Sequence, residues 1–173
     1  MDATGSNAVS NVVLVAPSCD AGDPVWGFVA KHVEALASAF ARVVVITPGR
    51  TPAVEAWGAE PAPADPGAGG TGRAVDAVVA GTDGEVVVVV LDDPALLAQV
   101  RAAVDDRCPV VWWSSQVPSP KATALAARWA DGLLVTAMPD EGTAGVPTWI
   151  VGTGVDLRDE APDLPHRPPL QLL

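Results

Sequence analysis

The stretch from Asn11 to Phe40 constrains the fold more than any other part of the chain. It begins with a mostly β-branched apolar run, Val12 to Ala16, short enough for a strand buried on both faces. A small-residue turn, Pro17 to Asp23, leads into helical spacing. Val29, Val33, Leu36 and Phe40 fall on one face, with Lys31, Glu34 and Ser38 opposite. Asp23 suits the N-cap, because its carboxylate can accept an orphan backbone N–H, and Pro24 suits the first helical position. Strand, tight turn and helix in that order open a doubly wound α/β domain, which binds ligands at the carboxyl end of its strands.

The same alternation continues. Arg42 to Thr47 reads as a second buried strand, closed by Pro48 and Gly49. Thr51 to Gly72 is dominated by Pro, Ala and Gly and predicts a long surface loop, followed by a helix over Arg73 to Ala80. Glu85 to Leu91 holds five consecutive valines. Pro94 starts a helix to about Asp105, with Asp93 as its cap and Leu96, Leu97, Val100 and Val104 as its stripe. Strands over Pro109 to Trp113, Gly132 to Thr136 and Pro147 to Val151 follow, with a helix over Pro120 to Ala130 between the first two. None of these strands alternates with period two, so the expectation is a Rossmann-like, doubly wound parallel sheet of about six strands with helices on both faces. Residues 1–10 read as a flexible lead-in, 11–160 as the domain, and 161–173 as a Pro-rich linker with the beginning of a second domain at Leu170 to Leu173.

A chain of 173 residues fits one domain with a real core. Its formal charge of −11, with only ten Lys and Arg scattered singly, argues against nucleic acid and against anionic membrane surfaces. No apolar run approaches the roughly 20 residues that span a bilayer, so a cytoplasmic address without a transmembrane segment is expected. Cys19 follows one strand and Cys108 precedes another, which holds them about 17–20 Å apart, beyond disulfide reach. Neither is spaced with His as a metal ligand, and no metal is expected.

By the crossover rule the strand ends converge on one rim. That rim gathers Ser18, Asp20, Gly22 and Asp23; Thr47 and Arg50; Asp92 and Asp93; Ser114, Ser115 and Gln116; Thr136; and Gly152 to Gly154. Small polar residues terminate strands in many proteins, so no single one marks a site. Gly67 to Ala74 has the glycine spacing of a phosphate loop, but Arg73 and Ala74 stand where Lys and Ser or Thr are needed. A strand must also precede such a loop, and Pro61 to Pro66 is not expected to supply one. Asp20-Ala-Gly-Asp23 lacks the paired glycines of a dinucleotide fingerprint. Asp92 and Asp93, as strand neighbours, point apart and form no acid–base dyad. His32 on the first helix and His166 in the linker pair with no nucleophile, so catalytic residues are unassigned. The six tryptophans are scattered and read as packing or loop anchors.

Three segments carry a family resemblance. Asp23-Pro-Val-Trp-Gly-Phe-Val-Ala-Lys-His-Val-Glu-Ala-Leu-Ala with the following Arg-Val-Val-Val-Ile-Thr-Pro, then Ala130-Asp-Gly-Leu-Leu-Val-Thr-Ala, then Trp149-Ile-Val-Gly-Thr-Gly-Val-Asp156-Leu occur in order along the chain. Together they resemble the amino-terminal domain of the retaining glycosyltransferases of family 4. The resemblance implies one half of a GT-B architecture, the half that holds the acceptor. A carboxyl-terminal donor-binding domain would bind the nucleotide sugar, and no other cofactor is implied. The resemblance carries Gly22 and Gly27 over as the loop facing the donor phosphates and the acceptor, with Trp26 beside them on the cleft wall, and it places Ser114, Ser115 and Gln116 at the cleft; Asp92 and Thr136 are expected there from the shared rim.

The chain departs from the family at three points. Gly22-Asp23 replaces a Gly-Gly pair, Ser and Gln stand where a cleft His is common, and Thr153 takes the hinge position of an Asn or His. Three functions follow as expectations. The first is the acceptor side of a transferase that moves a sugar from a nucleotide sugar, with retention, onto an unknown acceptor. It would be inactive without its donor domain. The second is a non-catalytic domain that binds or stabilises a partner transferase. An α/β binding domain for another ligand comes third.

Overall fold

A computed structural model describes residues 10–49, 53–137 and 145–151. Seven strands form one parallel sheet: β1 (Asn11–Val15), β2 (Arg42–Ile46), β3 (Glu60–Ala62), β4 (Val86–Leu91), β5 (Val110–Trp113), β6 (Gly132–Val135) and β7 (Thr148–Ile150). Their order is β3-β2-β1-β4-β5-β6-β7, the Rossmann order extended by one strand, with its switch point between β1 and β4. Helices α1 (Val29–Ala39), α2 (Gly70–Ala80), α3 (Pro94–Val104) and α4 (Pro120–Trp129) connect them.

The valine-rich strands are buried on both sides, and alternate residues of each serve two separate cores. Val13, Val15, Val88, Val90 and Trp112 pack with α2, α3 and α4. Val12, Leu14, Val43, Val45 and Leu91 pack with Val29 and Val33 of α1. This two-sided burial is why the strands read as continuous apolar runs.

Three expectations need correction. The segment from Thr51 to Gly72 is not one long loop: a short 3-10 turn, Glu55–Trp57, and strand β3 lie within it, and α2 already begins at Gly70. Pro61 hid the strand. β3 pairs only with β2, with Pro61 opposite Val45, and an edge strand tolerates a residue without an N–H. Arg42 of β2 clamps this edge with a two-oxygen grip on Glu60, its Nε 3.1 and 3.0 Å from the two oxygens. The bond to Arg42 holds the Glu60 carboxyl below the usual carboxylate range. The glycines beyond β3 start a helix. Gly69 takes a left-handed φ of 78° at the N-cap, and Gly72 lets α2 approach α3 so closely that a Cβ there would lie 3.1 Å from the Gln99 carbonyl oxygen. The sheet thus has one strand more than about six.

The second correction concerns α1, which begins at Val29 and has Phe28, not Asp23, at its N-cap. Asp23 instead caps the turn in front of it. Its Oδ1 accepts from the N–H of Val25 at 2.8 Å and of Trp26 at 3.1 Å, and its carbonyl accepts from Gly27. Asp23→Ala is expected to cost about 1 kcal/mol in urea unfolding; an unchanged midpoint would rule the cap out. The helices expected from Pro94 and Pro120 start at those residues, α3 with the expected Asp93 cap and α4 with Ser119 as a cap not read from the sequence. Asp93 accepts from the Ala95 N–H at 2.9 Å, and Ser119 accepts from the Ala122 N–H at 3.2 Å.

The third correction is local: a strand does precede the glycine run, contrary to the reading of Pro61 to Pro66. The missing Lys and Ser or Thr still separate it from a phosphate loop, and Arg73 is turned to Asp65 at 3.7 Å. Arg50, the Gly152 to Gly154 rim residues, Asp156, His166, residues 1–9 and the 161–173 linker lie outside the described residues.

Candidate functional site

The chain crosses the sheet so that the loops after β1, β4 and β5 meet at the carboxyl rim, beside the switch point. They enclose an open pocket of about 300 Å³ walled by Trp26, Asp92, Trp112, Ser114, Gln116, Val117, Pro118, Ser119 and Ala122. Trp26 comes from the capped turn after β1, Asp92 from the end of β4, and the remainder from β5 through the start of α4.

Asp92 organises the floor. It sits at φ 57°, a left-handed conformation that Asp and Asn adopt more readily than most residues. Its N–H donates to the Trp113 carbonyl at 2.8 Å, extending the β4–β5 ladder by one bond. Its Oδ1 then accepts from the Ser115 N–H at 2.7 Å, and its Oδ2 accepts from the Ser115 hydroxyl. The buried Ser114 hydroxyl turns to the Gln116 carbonyl at 2.9 Å. A carboxylate, two hydroxyls and an amide are thereby locked at the mouth of the sheet. Asp93 points away to cap α3, so no carboxylate dyad forms.

Of the residues read from sequence, Trp26, Asp92, Ser114 and Gln116 are walls of this pocket, and Ser115 holds Asp92 from behind. Gly22 and Gly27 shape the turn that carries Trp26. A Cβ at Gly27 would lie 2.8 Å from both the Ala21 and Asp23 carbonyl oxygens, whereas Gly22 is exposed and touches only the Asp20 side chain. Thr136 follows β6 and does not wall the pocket, although its hydroxyl is buried with no partner among the described residues. Sequence reasoning missed Trp112 and the Val117–Ser119 segment. Two adjacent tryptophans in one strand must face opposite sides, but only the packing shows that Trp112 reaches this rim. His32 is structural: its Nδ1 lies 3.0 Å from the Phe28 carbonyl, and its ring packs against that of Trp113 at a 54° tilt, centroids 4.5 Å apart.

A larger cavity of about 530 Å³ opens at the opposite, amino-end rim, between Val79, Gly84, Val86, Arg107 and Cys108. Its cation is already committed, since Arg107 pairs with Asp76 and donates to the Ala103 and Val104 carbonyls. Burial pushes the Cys108 thiol up, away from thiolate reactivity. The smaller pocket, with convergent polar groups at the switch point, is the better candidate. Among the described residues no cluster of His, Cys, Asp and Glu is placed to hold a metal, and no helix is long and apolar enough to cross a membrane.

The fold and rim define a Rossmann-like α/β domain with a preformed polar pocket at its switch point, compatible with one half of a GT-B architecture. No family model matches the chain, and no curated protein matches it in sequence.

Proposed function

We propose that this chain is the acceptor-side domain of a retaining glycosyltransferase of the family 4 kind, acting in the cytoplasm on an acceptor held in the rim pocket. The domain extends over residues 11–160, and 161–173 lead to a donor-binding domain or a partner transferase. The observation that carries the reading is the pocket itself: Trp26, Asp92, Ser114 and Gln116, drawn from three loops, meet at the carboxyl rim beside the switch point, the rim on which the GT-B resemblance would set a second domain. The ordered resemblance of three segments supports it. Among the described residues no Lys, Arg or His walls the pocket, which agrees with the resemblance in assigning the nucleotide sugar to the opposing domain, where charge must be stabilised for transfer.

Calorimetry tests this directly. UDP-glucose and GDP-mannose titrated into the 173-residue chain are expected to give no heat of binding. Binding at about micromolar Kd would contradict a donor site located elsewhere. Co-expression with a donor-binding domain encoded in the same gene or beside it should then produce sugar transfer. Stable association without transfer would favour the non-catalytic, partner-stabilising role.

A further inference from the structure

We draw no further inference here: the strongest candidate, the exposed apolar patch of Trp149 and Ile150 on β7 at the edge of the sheet, adjoins residues outside the described ones, and nothing in the structure shows what covers it.

Discussion

Replacing Gly70 by alanine is expected to cost about 3 kcal/mol or more, a large fraction of the roughly 5–15 kcal/mol that holds such a domain folded. Gly70 is the first residue of α2 and is buried. A Cβ built on it overlaps the Asp65 carbonyl oxygen and lies 2.9 Å from the Asp65 carbonyl carbon. Backbone cannot swing aside as a lysine tip can, so either the 65–69 turn or the start of α2 must move. Moving α2 disturbs Val75, which is fully buried in the core beneath it. Urea unfolding checks the result. Gly22→Ala serves as the control, since its added methyl meets only the Asp20 carboxylate at 3.4 Å; it should stay within about 0.5 kcal/mol of wild type. Equal midpoints for the two variants would show that the 65–70 contact is not rigid.

Leu14→Ala should destabilise by a similar amount, about 3–4 kcal/mol. β1 is the central strand, hydrogen-bonded to β2 on one side and β4 on the other, and Leu14 is paired with Val45 and Val89. Its side chain is fully buried against the α1 face with Val29 and Val33. Removing three carbons there deletes contacts that neither neighbour strand can restore, because both are pinned by their own ladders. The cost is therefore transfer energy plus an unrelaxed cavity. Leu125 on α4, 37% exposed, gives the comparison; its truncation should cost less than about 1 kcal/mol. A small loss at Leu14 would mean that the α1 side of the sheet is loosely packed.

How much of this was legible depended on whether the signal was local. The runs that became β1, β2, β4, β5 and β6 are apolar on both faces. The Asp93-Pro94 pair marked the start of α3 because cap and Pro act within one turn, whereas the Ser119 cap of α4 was not read from the sequence. The segment from Thr51 to Gly72 misled for the opposite reason. A strand of Glu-Pro-Ala has no intrinsic claim to the extended state, and what makes β3 a strand is pairing with β2 and the Arg42 grip. The glycines that follow serve close packing of α2 against the 65 turn and against α3, which no window of sequence contains. α1 misled more mildly, as Asp23 does cap backbone N–H groups but on a turn that ends before the helix proper.

The site divides along the same line. Strand-terminal polar residues on a shared rim follow from parallel topology alone, which is why the sequence singles out Asp92, Ser114 and Gln116. It does not single out Trp112, since only the packing shows that this side chain reaches the rim.

By itself the sequence determined a doubly wound parallel α/β domain with its polar residues at one rim, because buried β-branched runs separated by capped helices admit little else. The tertiary structure alone decided that a Pro-containing segment closes one edge of the sheet. It also decided that Asp92 turns left-handed onto Ser115, and that Trp26 and Trp112 from different loops share one pocket. Each of those depends on contacts between residues distant in the chain, whose energies exist only after the strands have paired.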